Sequence, residues 1–276
     1  MSKANSTLVL VDKSEQVCTL TMNMPKRFNG WTFEMMEALT SALDNAAQDA
    51  DTKVVILTGA DPYYCAGVNL GGTLRLDHPR KLHAMIVEHN QSLFDKFIDF
   101  PKPILVAVNG PSIGAAVTSS TLCDGIIASE KASFSTPFAK LGVAKEGCSS
   151  VLFARIMGED NAERMLGSEG WVPRGKEAVD VGFAQWCVPH EELIPKAQEI
   201  AKEWVTSGRE RSYRGSSTRD ELKAVNAKES VQVADSFLST PFLKGQFEFL
   251  WGKNKRVPAM MFLTLKLTRP FWSKFL

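Results

Sequence analysis

Three uninterrupted apolar runs, each ending beside glycine or opening on it, limit this chain most. "KVVILTG" (53–59) and "PILVAVNG" (103–110) end at glycine, and "DGIIAS" (124–129) begins with one. A strand exposed on one face alternates apolar and polar residues, whereas a strand covered on both faces reads as a continuous hydrophobic run. Segments with helical spacing lie between these runs. In "TFEMMEALTSALDNAAQD", Phe33, Met36, Leu39, Leu43 and Ala46 fall on one stripe, and Thr32 stands where an N-cap belongs. "RKLHAMIVEHNQSLFDKFIDF" makes a second helix that stops before Pro101. Strands alternating with helices predict an α/β fold with parallel pairing and right-handed crossovers.

The ends of the chain differ from this middle. "STLVLVD" and "QVCTLTMN", joined by the polar "KSEQ", predict a hairpin. From about Glu159 onward the pattern is largely helical, interrupted by the short β-like run "FAQWCV". We expect an α/β core over residues 1–200 and a helical cover or oligomerisation region over 201–276.

Composition removes several function classes. The net charge is +1 with no basic block, which argues against a surface that tracks phosphates, so no nucleic-acid partner is expected. The five cysteines are scattered singly, and the four histidines do not cluster with acids at ligand spacing, so no metal site is expected. No apolar run reaches the roughly 18 residues that a bilayer span needs. The first residues lack the pattern of a cleaved targeting peptide, and "SKFL" at the end is close to, but not, a peroxisomal tripeptide.

The chemistry concentrates where the buried strands end. Turns with small residues follow two of them: Cys65-Ala66-Gly67 in "YYCAGVNLGG" and Gly114-Ala115-Ala116 in "VNGPSIGAAVTSS". Small residues admit a ligand close to the backbone, and a helix starting at such a turn has amides without internal partners. Two such turns side by side can aim two N–H groups at one oxygen. A third segment, "LGVAKEGCSS", carries a single carboxylate, Glu146. By itself Glu146 reads first as the ordinary acid of a helix start, stabilised by the helix dipole; the two small-residue turns and the resemblance given below shift the reading to a base in a site.

Four ordered stretches, "NMPKRFNGWTFEMMEAL", "VVILTGADPYYCAGVNL", "PKPILVAVNGPSIGAAVTSSTLCD" and "ASFSTPFAKLGVAKEGCSS", resemble the crotonase (enoyl-CoA hydratase/isomerase) superfamily. The resemblance runs from about Thr7 to His190. "FIDFPKPILVAVNGPSIG" and "EGCSS" make the chain most similar to peroxisomal-type Δ3,Δ2-enoyl-CoA isomerases. The resemblance implies a crotonase-like spiral of ββα units with a helical C-terminal region. It also implies an acyl-CoA substrate, with coenzyme A part of that substrate and no separate cofactor. A homotrimer is implied, as is a compartment of fatty-acid oxidation: peroxisome, glycosome or mitochondrial matrix.

Residue by residue, it implies an oxyanion hole from the amides of Ala66 and Ala115. It places Cys65, Gly67, Val68, Asn69, Leu70, Gly114 and Phe138 along the substrate pocket, and Lys26 and Arg27 near the phosphates of coenzyme A. Asn69 departs from the aspartate usual in the family. Thr118 and Phe138 fall where a hydratase of the superfamily carries its two glutamates, and neither handles protons as a carboxylate does. Glu146 falls on the isomerase glutamate. The resemblance thus implies an isomerase with one acid/base, and it leaves open a hydratase or a non-catalytic module that holds acyl-CoA or protein.

Overall fold

The computed structural model describes residues 8–68 and 77–276. In chain order the strands are β1 (Val9–Ser14), β2 (Val17–Met22), β3 (Val54–Gly59), β4 (Ile104–Val108), β5 (Pro111–Ile113), β6 (Gly125–Ser129), β7 (Ser133–Ser135) and β8 (Trp186–Val188). The helices up to the last strand are α1 (Phe33–Gln48), α2 (Pro79–Ile98), α3 (Ala115–Thr121), α4 (Phe138–Leu141), α5 (Ser149–Met157), α6 (Glu159–Leu166) and α7 (Gly175–Asp180). Then follow α8 (Leu193–Thr206), α9 (Arg219–Phe237), α10 (Thr240–Gly252) and α11 (Arg256–Trp272).

Six strands form one sheet in the order β1-β2-β3-β4-β6-β8, and β5 pairs with β7 in a second, small sheet. Within this sheet β1 and β2 pair antiparallel, as the hairpin pattern predicts, and β2-β3, β3-β4, β4-β6 and β6-β8 are parallel. After β4 the chain runs into β5 and α3, and after β6 into β7 and α4, so the unit is strand, short strand, helix. This is the expected ββα spiral, with the helical region after it.

The continuous apolar runs are explained by cover on both faces. Val55, Leu57, Ile104, Val106, Val108, Ile126 and Ala128 enter the main core with α1, where Leu39 and Leu43 meet them. The alternate residues Val54, Ile56, Leu105, Ala107 and Ile127 pack under α8, against Ala197, Ile200, Ala201 and Trp204. Side chains leave a strand on opposite faces in turn, so a run without polar breaks needs two apolar partners. Because α8 is one of those partners, the boundary expected at residue 200 falls inside a helix that belongs to the core. The periodicity of "EELIPKAQEIAKEWV" marks the helix but cannot say which layer it covers.

Thr32 caps α1 as expected, accepting from Met35 N at 3.3 Å. Phe33 and Met36 are not buried with the rest of the expected stripe; Met36 packs against the edge of the main core, and both line a cavity between α1 and α2. α9 lies along α2, and α9, α10 and α11 share a separate apolar cluster with Leu82 and Ile86 of α2. No helix among the described residues is long and apolar enough to cross a membrane.

Candidate active site

The turns after β3 and β4 meet edge to edge. Asn29, fully buried, donates from Nδ2 to Ala60 O and Tyr63 O, both at 2.7 Å, and holds the first turn. Cys65 pairs with Ser112 of β5, and Ile113 N donates to Cys65 O at 3.0 Å. Gly67 closes the approach. Its φ is +80°, and a Cβ there would lie 2.7 Å from Ile113 O. A larger residue would force the two turns apart.

This geometry corrects one expectation. The Ala66 N–H donates to Phe28 O at 2.9 Å, so it is already engaged. Two residues on, Val68 bridges Trp31 in parallel fashion, with Trp31 N donating to Gly67 O at 2.8 Å. That pairing turns the Val68 N–H away from Trp31, and no group among the described residues accepts it. The sequence places Val68 in the pocket wall but does not show which amide of the turn stays free, because hydrogen-bond direction follows register. Ala115 is the first residue of α3, so its N–H has no intrahelical acceptor, and none of the described residues takes it. Val68 and Ala115 line one cavity.

Glu146 lines the same cavity and is only 8% exposed. A tight turn delivers it there. Gly147 (φ +63°) and Cys148 (φ +62°) both adopt left-handed backbone before α5 begins. A Cβ on Gly147 would stand 2.6 Å from the Phe94 ring and from Thr118 Oγ1. The Glu146 carbonyl accepts Ser149 N at 3.2 Å, but its carboxylate caps none of the free amides at the start of α5. Glu229 of α9 takes them, with Oε2 accepting Cys148 N at 2.6 Å and Oε1 accepting Ser150 N at 3.0 Å. The helix-start reading of Glu146 therefore fails, because another carboxylate fills that role from 81 residues away.

The Glu146 side chain has one hydrogen-bond partner among the described residues, Asn90 of α2, whose Nδ2 donates to Oε2 at 2.7 Å. Ser230 Oγ in turn donates to Asn90 Oδ1 at 2.9 Å. Burial among apolar groups pushes the Glu146 carboxyl up to about 7; the Asn90 donor opposes that rise and the nearby Glu229 carboxylate adds to it.

The cavity measures about 220 Å³ and is mostly apolar, walled by Phe33, Met36, Met85, Leu93, Phe138 and Phe237 among others. Glu146 is the only acidic side chain among the described residues of its wall. Thr118 is fully buried, its hydroxyl donating to Ala115 O at 3.3 Å, and Phe138 packs in the wall, so neither position supplies a carboxylate. Gly67 and Gly114 line the cavity as expected. Cys65 does not: it is buried behind the turn, its Sγ accepting Gly67 N at 3.3 Å, and burial pushes its thiol up to about 12. Lys26 and Arg27 sit exposed on the one-turn segment Pro25–Arg27, outside the cavity wall. Asn69 and Leu70 lie outside the described residues.

Sequence reasoning missed Asn90, Glu229 and Ser230. A signal was present. Asn90 interrupts the apolar spacing Leu82, Ile86, Phe94, Phe97 of α2, and Asn226, Glu229 and Ser230 interrupt Leu222, Val233, Ala234 of α9. Polar residues on a buried stripe are held by partners.

Comparison with known proteins identifies the family and the fold. Residues 12–237 match the family described as enoyl-CoA hydratase/isomerase. The chain is 30% identical to enoyl-CoA delta isomerase 2 of Rattus norvegicus, over 90% of this chain and 64% of that protein. It is 29% identical to the peroxisomal enoyl-CoA delta isomerase 3 of Mus musculus, over 90% of this chain and 79% of the relative. The fold matches the crystal structure of an enoyl-CoA hydratase/isomerase from Pseudoalteromonas atlantica with a TM-score of 0.73, at 23% identity, over 90% of this chain and 97% of the other. On the family match, its long-range similarity to these relatives and the shared ββα spiral, the chain belongs to the enoyl-CoA hydratase/isomerase family.

Proposed function

We propose that this protein is a Δ3,Δ2-enoyl-CoA isomerase that converts 3-enoyl-CoA to trans-2-enoyl-CoA. The observation that carries the reading is Glu146, the one carboxylate among the described residues of a mostly apolar cavity that also holds two free amides. A 1,3-proton shift needs one group that takes a proton and returns it. Addition of water normally needs two groups around the attacking oxygen, and by resemblance Thr118 and Phe138 fall where a hydratase of the superfamily carries its two glutamates.

In the proposed reaction Glu146 removes the C2 proton, which the thioester and the neighbouring alkene acidify. The electrons move into a dienolate whose oxygen is held by the amides of Val68 and Ala115. Protonated Glu146 then delivers the same proton to C4. Because Oε2 accepts from Asn90, the travelling proton rides on Oε1. A carboxyl near 7 suits both halves of this task, since neither form is strongly preferred at neutral pH. The chemistry needs no cofactor beyond the coenzyme A of the substrate.

Lys26 and Arg27 are assigned to the coenzyme A phosphates in this reading, as exposed cations beside the turn that carries Phe28. Assembly as a homotrimer belongs to the same reading. Exposed Val257, Leu267 and Phe271 on α11 leave apolar surface for contact between copies. So does residence in an organelle of fatty-acid oxidation, a peroxisome or the mitochondrial matrix; the name of the mouse relative points to the former. The test is incubation with a 3-enoyl-CoA while following the absorbance of the conjugated thioester. Growth of that band supports the reading. No growth, together with loss of the band from a 2-enoyl-CoA, would instead indicate a hydratase.

A further inference from the structure

Asn90 touches Glu146 with the donor side of its amide, and something must hold that side forward. A side-chain amide has two nearly isosteric faces, and only the hydrogen-bond network distinguishes them. The network here has a direction. Asn226 of α9 donates from Nδ2 to Gln91 O and Asp95 Oδ1, both at 2.9 Å. Both partners are acceptors, so Asn226 presents Oδ1 to Ser230, at 3.4 Å. Ser230, fully buried, has one hydrogen and two acceptors in reach; the nearer is Asn90 Oδ1 at 2.9 Å. With that oxygen occupied, Asn90 offers Nδ2 to Glu146.

We propose that Ser230 is a positioning residue for the proton transfer: by donating to Asn90 Oδ1 it keeps the Asn90 amide donor-side toward Glu146, which fixes the carboxylate and leaves Oε1 as the proton carrier. The role in turnover rests on the isomerase reading; the link from Ser230 to Glu146 does not. Without the hydroxyl, Asn90 Oδ1 is left buried without a donor, and the amide is free to turn that oxygen toward Glu146. An oxygen there favours the protonated acid and opposes the carboxylate. The other titratable groups near Glu146 are Glu229 of α9, Lys145 and Cys148 on its own turn, Lys145 lying 4.0 Å from Glu163, and His89, which lines the cavity from α2. The Ser230 hydroxyl bonds to Asn90 and Asn226 and to none of these groups.

The experiment compares Ser230→Ala and Ser230→Thr with the parent protein, after thermal melting has shown that each is folded. Turnover of a 3-enoyl-CoA is measured across pH. Separately, the carboxyl infrared band that disappears in Glu146→Gln is titrated in substrate-free protein. We expect Ser230→Ala to lose roughly tenfold in kcat with KM nearly unchanged, as loss of an orienting partner does. Its acid limb and infrared titration both move to higher pH, and Ser230→Thr restores both. If Ser230→Ala titrates and turns over with the parent's pH dependence, the inference is overturned. If its rate drops while both titrations stay fixed, the role is only structural and the inference is overturned too. If the parent protein does not isomerise but the infrared titration still moves, the link from Ser230 to Glu146 is upheld and the isomerase reading falls.

Discussion

Asn90 Nδ2 lies 2.7 Å from Glu146 Oε2, joining residues 56 apart in the chain. One helix thus presents a neutral donor to a carboxylate that is otherwise walled in by apolar groups. The arrangement holds the acid in place without a cation, and an acid paired with a cation would be a weaker base. Changing Glu146 to Gln keeps the acceptor for Asn90 and removes the proton carrier. The expected outcome is a loss of roughly 10²–10⁴-fold in kcat for 3-enoyl-CoA, with affinity for the product near that of the parent. Steady-state kinetics beside product-binding calorimetry checks it; substantial residual turnover would move the base elsewhere.

The raised carboxyl of Glu146 sets a pH dependence for both activity and stability. The proposed reaction needs the carboxylate, so kcat/KM should fall as pH drops through about 7. Stability runs the other way. A carboxyl whose folded pKa lies above its unfolded value favours the fold fully below the ordinary range and loses that contribution as pH rises through about 7. The difference corresponds to about 3 kcal/mol at most. Glu146→Gln should therefore melt higher than the parent at pH 8 and close to it at pH 5. Calorimetry at both pH values checks this, and equal melting at pH 8 would mean the acid is not desolvated in solution.

The free Ala115 amide offers a test of the proposed oxyanion site. Proline is tolerated at the first position of a helix and has no N–H. Ala115→Pro should leave melting close to that of the parent and cost about 10²–10³-fold in kcat, the usual loss of one such donor. A folded Ala115→Pro protein with full turnover would show that the dienolate is stabilised by other groups.

Glu229 takes two backbone amides of the turn after Glu146, and its charge helps to raise the Glu146 pKa. Glu229→Gln removes the charge and keeps one good acceptor. Its destabilisation should be about 1–3 kcal/mol, because one buried N–H loses its partner. The acid limb of kcat/KM should move to lower pH, opposite to the shift expected for Ser230→Ala. Denaturant unfolding and a pH-rate profile on the same variant check both parts.

The sequence by itself determined the layers. Unbroken apolar runs have to be strands with two apolar faces covered, and helical spacing between them has to form crossovers, because buried backbone and side chains leave few other solutions. It also determined the chemical inventory: one carboxylate at 146, small residues at 65–67 and 114–116, and no carboxylate at Thr118 or Phe138. Only the tertiary structure decided which groups are free to act. Ala66 spends its amide on Phe28 while Val68 keeps its own, a matter of bond direction that residue type does not encode. Glu229, rather than Glu146, caps α5, which turns Glu146 from a helix-start acid into a buried one. Both outcomes depend on partners 38 and 81 residues away. Local pattern fixes what each segment becomes, whereas burial, hydrogen-bond occupancy and pKa are set by whatever the fold brings alongside.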